Sequence, residues 1–153
     1  MHYRIFEKPG NMGIRTAQPA DTPAIQTLLA QLGYVDTTPF LEKKLASLSN
    51  DPAEVLLVYE QDSDVVAFLS LHFIPQIALP GDFARISYFA VKDSARNLGI
   101  GRQLEEHITA LARERNCDRI EVHCHSRRSD AHRFYTRQGF EESPKYLIKS
   151  LKQ

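Results

Sequence analysis

The order of strand-like and helix-like segments restricts this chain to one class of fold. Three segments rich in strand-forming residues follow one another with short turns between them: 54–60, 65–74 and 83–91. The pattern then changes, because Leu104, Ile108 and Leu111 recur at helical spacing before another strand-like segment begins at Arg119. A connecting helix makes its two flanking strands parallel, whereas short turns make neighbouring strands antiparallel. We therefore expect a mixed sheet with helices on both faces.

The remaining elements complete a β–α–α–β–β–β–α–β–α–β order. They are a strand at 14–17, helices at 22–32 and 39–48, a strand at 119–124, a helix at 131–137 and a last strand at 146–151. Residues 1–11 end in a turn-forming Pro-Gly-Asn run, and we expect them to form an N-terminal extension. Residues 12–153 have the length of one domain, and we expect a single domain there.

The composition is that of a folded protein and excludes several kinds of partner. Hydrophobic residues make up 42% of the chain, and 19 basic residues balance 19 acidic ones. Domains that bind nucleic acid usually have a basic excess, which is missing here. No apolar run approaches the roughly 20 residues of a membrane-spanning helix, and no secretory signal is visible. We therefore expect a cytoplasmic protein without nucleic-acid or membrane partners.

The cysteines and histidines do not predict a metal site. Cys117 and Cys124 are too few for a disulfide framework, and we expect free thiols. On a strand, His123 and His125 share one face while Cys124 points to the other. Zinc usually requires three or four convergent ligands, so we expect no metal.

The most specific local signal is the segment Arg-Asn-Leu-Gly-Ile-Gly at 96–101, which lies between a strand ending near Val91 and the next helix. The start of a helix leaves backbone N–H groups unpaired and favours an anion, and glycines let a phosphate approach closely. A glycine-bearing turn without any ligand is the alternative. A nucleotide P-loop is excluded because Arg102 follows Gly101, and Leu104 stands where a dinucleotide fingerprint needs a third glycine.

This segment resembles the Arg/Gln-x-x-Gly-x-Gly/Ala pyrophosphate loop of the GCN5-related N-acetyltransferases. The segment Ala-His-Arg-Phe-Tyr-Thr-Arg-Gln-Gly-Phe at 131–140 resembles the second signature of that family, and 14–21 is similar to its first strand and turn. The resemblance covers roughly residues 13–151. Within the family, 126–135 looks most like the branch that contains aminoalkylphosphonate acetyltransferases.

The resemblance implies an α/β (α+β) fold with a mixed, mostly antiparallel sheet of six to seven strands. Helices flank both faces, and strands 4 and 5 splay apart. It also implies acetyl-CoA as cosubstrate, with pantetheine at the end of the fourth strand and the diphosphate at the turn. The predicted cofactor-binding residues are Phe89, Ala90, Val91, Arg96, Asn97, Leu98, Gly99, Ile100, Gly101, Arg102, Arg128 and Phe134.

The implied activity is transfer of an acetyl group from acetyl-CoA to a primary amine of a small molecule or peptide by direct attack. The leaving thiolate needs a proton donor, and Tyr135 matches the signature tyrosine of the family. The alternative is that Tyr135 is a core ring packed beside Phe134. A non-catalytic acyl-CoA-binding or sensing module on the same fold is the alternative function. A homodimer is common for such folds.

The proton acceptor is the point at which this sequence departs from the family. Many members have a glutamate on the fourth strand, but 83–89 contains no acid, and Arg85 stands where that glutamate often lies. An arginine cannot accept a proton at neutral pH, although it could attract an acidic group of the substrate or pair at the surface. A relay through water would use His72, Asp82, Ser87 or Tyr88. Positioning of the two reactants alone is the remaining alternative.

Overall fold

The computed structural model describes residues 13–124, 128–143 and 146–152, which belong to two compact units, 1–123 and 124–153. The first unit contains five strands: β1 (Gly13–Thr16), β2 (Glu54–Gln61), β3 (Asp64–Ile74), β4 (Phe83–Val91) and β5 (Arg119–Val122). Its helices are α1 (Thr22–Gln31), α2 (Leu41–Ser49) and α3 (Ile100–Glu114). The second unit contains helix α4 (Ser129–Arg137). The predicted extension at 1–11 lies outside the described residues.

The strands form one sheet in the order β1-β2-β3-β4-β5, which is antiparallel except for the last pair. Strand β5 runs parallel to β4, because α3 connects them and returns the chain to the same end of the sheet. The mixed, mostly antiparallel sheet predicted from the sequence is therefore confirmed. The predicted bounds of β4 agree with the structure, and those of most other elements differ by one or two residues.

The prediction of a last strand at 146–151 is wrong. These residues adopt no strand, and Leu147, Ile148 and Leu151 are at least 85% exposed. A strand forms when its backbone pairs with a neighbouring edge, whatever its propensity. Among the described residues of its unit, the only regular element is α4, which offers no such edge. The described sheet accordingly has five strands, not the six to seven expected.

Helices cover both faces of the sheet in the first unit. Residues of α1 and α2 pack on one face against alternate side chains of the strands: Ile25, Leu28, Leu29, Leu41 and Leu45 against Leu56, Val58, Phe68 and Ala90. Helix α3 contacts β3, β4 and β5, and its inward stripe of Leu104, Ile108 and Ala112 is buried. Because successive strand residues point to opposite faces, both faces are apolar and each requires a helical cover.

A buried ion network fixes the start of the chain to β2. The Arg15 guanidinium donates to both carboxylate oxygens of Asp21, at 2.8 and 2.9 Å, and its Nε donates to Glu60 at 2.8 Å. The carboxylate of Asp21 also accepts the backbone N–H of Gln18 at 2.7 Å. The hydrogen bond from Arg15 holds the pKa of Asp21 below its ordinary value, although burial acts to raise it.

We expect Asp21→Asn to lower the free energy of unfolding by about 1–3 kcal/mol at pH 7, because a charged, buried acceptor of Arg15 is lost. The folded-state pKa of Asp21 is lowered, so its contribution is present above the ordinary carboxyl pKa of about 3.9 and is lost as pH falls through the folded value. Urea unfolding at pH 7 and at about pH 3 should therefore show the difference shrinking in acid. Exposed Asp64→Asn is the control, and an equal effect of both variants would contradict the prediction.

Candidate active site

Strand β4 continues beyond its parallel neighbour. The pairing of β4 with β5 begins at Phe83 and ends where Ile86 faces Val122. Residues 88–91 remain paired with β3, but in the described part of the sheet they have no strand on their other side. This is the separation expected between strands 4 and 5. It leaves a backbone edge of β4 open beyond the end of its pairing with β5.

A β-bulge lies where this edge begins. Ser70 of β3 faces Tyr88 and Leu71 faces Ile86, so that Ser87 is an extra residue without a partner. Bulges bend a strand and redirect its side chains. Accordingly, Ser87 and Tyr88 are exposed, although the strand is otherwise half-buried or buried. Both are candidate catalytic residues from the sequence, and the bulge places them at the start of the open edge.

The N–H groups of β4 beyond the bulge have defined directions. The N–H of Lys92 donates to the carbonyl of Val66, at the β3 side, with a distance of 2.7 Å. Backbone groups alternate between the two edges of a strand. The N–H groups of Phe89 and Val91 are therefore directed towards the open edge, whereas that of Ala90 is directed towards β3. Phe89, Ala90 and Val91 were predicted to bind the cofactor, and the first and third have the suitable direction.

Helix α1 holds the end of β4 in place through Gln31. Its side-chain Nε2 donates to the carbonyl of Val91 at 2.9 Å, and its Oε1 accepts the N–H of Asp93 at 3.1 Å. One amide side chain thereby provides hydrogen-bond partners for a carbonyl at the end of β4 and for an N–H at the start of the next turn. The sequence analysis missed Gln31, because the residue pairs with positions about 60 residues later in the chain.

The segment 96–101 forms a tight left-handed turn into α3. Asn97 has φ of 64° and Gly99 has φ of 79°, both in the left-handed region. Gly99 is the N-cap, its carbonyl accepts the N–H of Gln103 at 3.1 Å, and buried Ile100 anchors the first turn of the helix. The N–H groups of residues 100–102 have no partner within the helix. Left-handed turns with convergent N–H groups form concavities that suit anions.

The two predicted basic residues of this turn already have acidic neighbours. Arg96 pairs with Asp93 at 3.0 Å, and Arg102 pairs with Glu106 at 2.9 Å. All four side chains are more than half exposed. Exposed pairs of this kind are weak, so either guanidinium can exchange its partner for another anion at little cost.

A polar row crosses the α1–α2 face of the sheet near the bulge. Glu54 of β2, His72 of β3 and Arg85 of β4 lie side by side in register. The carboxylate of Glu54 contacts Nδ1 of His72. Burial raises the pKa of Glu54, and the neighbouring His72 partly offsets that effect. A carboxylate, an imidazole and a guanidinium are thus arranged across three strands.

The row continues onto β5 through Glu121. Its carboxylate accepts from Arg85 at 3.2 Å and from Arg119 at 2.8 Å. Burial acts to raise the pKa of Glu121, but the hydrogen bonds from Arg119 and Arg85 outweigh it and hold the pKa below its ordinary value. The Nε of Arg85 is buried and has no hydrogen-bond partner among the described residues. Arg85 therefore has donor capacity that its protein neighbours leave unused.

Two tyrosines border the same face. The ring of Tyr34, from the segment after α1, meets that of Tyr88 edge-on with centroids 5.4 Å apart. Burial, and to a smaller extent Tyr34, raises the pKa of the Tyr88 hydroxyl. The candidate Asp82 is not part of this group. It precedes β4 at the end away from the bulge, where its carbonyl accepts the N–H of Asp118.

The second unit contains the other sequence-predicted residues. Tyr135 is buried on α4, and its ring contacts those of Phe134 and Phe140 edge-on, each at 5.3 Å. Burial raises the pKa of Tyr135, Cys124 raises it further, and exposed Arg128 acts in the opposite direction. The hydroxyl of Tyr135 therefore keeps its proton at neutral pH, which is compatible both with a proton donor and with a packed core residue.

The described residues offer no convergent metal ligands and no helix suited to a membrane. No three His, Cys, Asp or Glu side chains converge within residues 13–124, 128–143 and 146–152. The histidine at 125 lies outside these ranges. In the same ranges, no helix has both the length and the apolar character needed to span a bilayer. Cys117 and Cys124 form no disulfide among the described residues, and burial raises the pKa values of their thiols.

The open edge of β4 followed by a left-handed turn into α3 is the arrangement that the sequence resemblance implies. Residues 22–140 match the model of the acetyltransferase (GNAT) family. The chain belongs to this family. The matched residues include both segments singled out from the sequence, 96–101 and 131–140.

Individual relatives agree with this membership. The chain is 28% identical over 140 residues to an aminoalkylphosphonate N-acetyltransferase of Salmonella typhimurium, with 90% of each chain covered. It also resembles the crystal structure of a transcriptional regulator from Bacillus halodurans, with a TM-score of 0.85, 25% identity and coverage of 92% and 100%. An aminoglycoside N-acetyltransferase in complex with CoA has a TM-score of 0.81 at 12% identity, with coverage of 97% and 100%, and shows the same fold.

We expect Gly99→Ala to lower the free energy of unfolding by about 1–2 kcal/mol, because a side chain at φ of 79° meets the left-handed penalty. The space around a Cβ at Gly99 is open, so that the cost is one of backbone conformation alone. Asn97→Gly at the other left-handed position is the matched control and should not destabilise the fold. Thermal unfolding measures both, and equal losses would contradict this account of the turn.

Proposed function

We propose that this GNAT-family chain is an acetyl-CoA-dependent N-acetyltransferase that acetylates a primary amine of a small molecule or peptide by direct attack. The observation that carries the proposal is the open edge of β4, which leads directly into the left-handed turn at the start of α3. A single ligand with an extended amide-containing arm and a diphosphate would match both parts. CoA is such a ligand, and a neighbour of the same fold binds it.

The cofactor would lie along residues named from the sequence. Backbone groups of Phe89 and Val91 would bond the pantetheine arm, and the turn at 96–101 would hold the diphosphate. Arg96 and Arg102 would add charge-assisted contacts. The exposed Arg128 and the ring of Phe134, both in the second unit, remain proposed cofactor contacts on the family resemblance.

The reaction replaces a C–S bond by a C–N bond. An alkylamine with a pKa of about 10.4 is protonated at neutral pH and must lose a proton before its lone pair attacks the thioester carbon. The N–H of Phe89 or Val91 would stabilise the oxyanion that forms. Collapse of the tetrahedral intermediate expels the CoA thiolate. The attacking nitrogen gives up its second proton, the thiolate takes up one proton, and the products are the acetamide and CoA thiol.

The residues at the bulge are the proposed acceptor side of the site. His72 is the proposed proton acceptor, because an imidazole titrates near neutral pH and its neighbour Arg85 cannot take a proton. Ser87 and Tyr88 flank the amine and could carry the proton through water. This arrangement supplies the base that the fourth strand lacks in sequence.

The proposed acceptor class is a small amine that also carries an acidic group. The buried Nε of Arg85 lacks a protein partner, and a guanidinium binds phosphonate or carboxylate well. The Salmonella relative is named for aminoalkylphosphonates, which contain such a group. The edge-on pair of Tyr34 and Tyr88 would border the short apolar part of the substrate.

A non-catalytic acyl-CoA-binding module is the second candidate. The observation in its favour is Arg85, which stands where a catalytic acid is common. Thiol release in the presence of acetyl-CoA and a panel of amines separates the two functions. Tight binding of CoA without turnover of any amine would favour the module.

We expect Leu98→Glu to weaken the binding of acetyl-CoA by about tenfold, which corresponds to about 1.4 kcal/mol. Leu98 is exposed between the two left-handed residues, and a carboxylate there would repel the diphosphate. An acid near the start of a helix does not destabilise the helix, so that misfolding is not the cause.

The matched control is Leu98→Gln, which has nearly the same shape without the charge. Calorimetric titration compares acetyl-CoA with S-acetylpantetheine, which lacks the diphosphate, and so shows whether the loss of affinity comes from the diphosphate. Only Leu98→Glu with acetyl-CoA should show the loss. If acetyl-CoA binds both variants equally, the diphosphate does not lie at this turn.

Tyr135→Phe should reduce kcat at least about tenfold, because the ring remains while the proposed proton donor to the thiolate is removed. The KM for acetyl-CoA should stay close to its original value. The measurement is thiol release under saturating acetyl-CoA and amine. Turnover equal to that of the unaltered chain would mean that Tyr135 is only a packed core residue.

A further inference from the structure

The two nitrogens of the His72 ring differ in their surroundings. Nδ1 is buried, contacts the carboxylate of Glu54 and has no other partner among the described residues. The two side chains differ in exposure, since 35% of His72 is accessible but only 11% of Glu54. Because Nδ1 is buried at this contact while the side chain as a whole is partly accessible, the accessible part of the ring is the part away from Nδ1.

The charges around the pair explain why an acid is needed there. His72 faces Glu54 on β2 and Arg85 on β4. Arg85 disfavours a positive imidazole, but Glu121 on β5 partly neutralises that guanidinium at 3.2 Å. Asp51, before β2, also acts on Glu54 and favours its neutral form. The carboxylate of Glu54 is thus the group in direct contact with His72 that can balance a proton taken up by the ring.

Register, not sequence proximity, builds this pair. Strands β2 and β3 are joined by a tight turn, and a bulge makes Val66 an extra residue between the pairs Glu60–Val65 and Tyr59–Ala67. Beyond that bulge, Glu54 falls opposite His72 and on the same face. The bulge is therefore needed for the contact between the acid and the histidine. A register shifted by one residue would place Glu54 opposite a side chain on the other face of β3.

We propose that Glu54 is a positioning residue that fixes His72 as the Nδ1–H tautomer, so that Nε2 accepts the proton lost by the substrate amine. This inference rests on the proposed function. A histidine has one donor and one acceptor nitrogen when neutral, and the hydrogen bond at one nitrogen decides the state of the other. Glu54 accepts from Nδ1–H and leaves the lone pair of Nε2 free.

The proton balance follows directly. The alkylammonium group gives one proton to Nε2, and its nitrogen lone pair then forms the C–N bond while the C–S bond breaks. The nitrogen loses a second proton as the acetamide forms, and this proton balances the one that the CoA thiolate takes up. His72 becomes an imidazolium with Glu54 as its counter-ion, and it later releases the proton to water. No redox partner is involved, and Glu54 itself keeps its charge throughout.

The first test is the kinetics of Glu54→Gln, which keeps the shape and removes the charge. With acetyl-CoA and 2-aminoethylphosphonate as probe substrates, we expect kcat to fall at least about tenfold while the KM for acetyl-CoA stays within about twofold. The acid limb of the kcat/KM profile should move to lower pH, because the counter-ion of the protonated ring is lost. Glu54→Asp should recover part of kcat.

The matched control is Glu114→Gln, an exposed acid near the end of α3 without an ion pair among the described contacts. It should leave kcat and the pH profile unchanged. If Glu54→Gln turns over like the control, with the same acid limb, the positioning role is wrong. If the unaltered chain binds acetyl-CoA but releases no thiol with any amine, the proposed function has failed instead.

The second test depends neither on turnover nor on the folding of Glu54→Gln. In the unaltered chain labelled with ¹⁵N-histidine, the neutral ring of His72 should show a protonated Nδ1 and an unprotonated Nε2. His72→Asn identifies the signal by removing it. A neutral ring with its proton on Nε2 would overturn the inference, whatever the kinetics of Glu54→Gln.

Discussion

The site depends on one constraint: the second half of β4 pairs with a strand on one side only. Strand β4 is held to β3 along its whole length, but its contact with β5 stops at Ile86. Beyond that point the backbone stays straight enough to pair with β3 and has N–H groups directed into the opening. The bulge at Ser87 marks the transition, and Gln31 fixes the far end. A strand edge of this kind presents a row of backbone N–H and C=O groups, and it is the proposed place of the cofactor arm.

Charge distribution divides the region around this edge into two functional halves. The turn at 96–101 supplies backbone N–H groups and exposed arginines, which suit a diphosphate. The row on the α1–α2 face has two basic groups, His72 and Arg85, between the acids Glu54 and Glu121, which suits proton transfer and an acidic substrate group. Because the row is partly buried, its interactions are stronger than those of the exposed pairs at the turn. The proposed chemistry thus takes place between a rigid polar row and a loosely paired cofactor turn.

The sequence predicted the glycine-bearing turn before α3, but it did not predict the polar row across the sheet. Residues 96–101 are contiguous, so their conformation depends on neighbours in the sequence, and the glycines indicate a turn. The row, in contrast, combines residues of three strands: Glu54, His72 and Arg85. If β2 and β3 paired regularly from the hairpin turn at 62–63, Glu54 would face Leu71. The bulge at Val66 shifts that pairing by one residue, and only the structure contains the bulge. The sequence analysis named His72 and Arg85 but passed over Glu54, the acid on β2 that contacts His72.

By itself, the sequence determined the order of elements, the mixed sheet and the turn that precedes α3, because periodicity and glycine placement act over a few residues. Tertiary structure alone decided the register of the strands, the burial of Glu54 and the hold of Gln31 on β4. It also decided that 146–151 is not a strand, although its residues favour one. These features depend on which backbones meet across the sheet, and hydrogen-bond partners distant along the chain leave no local pattern.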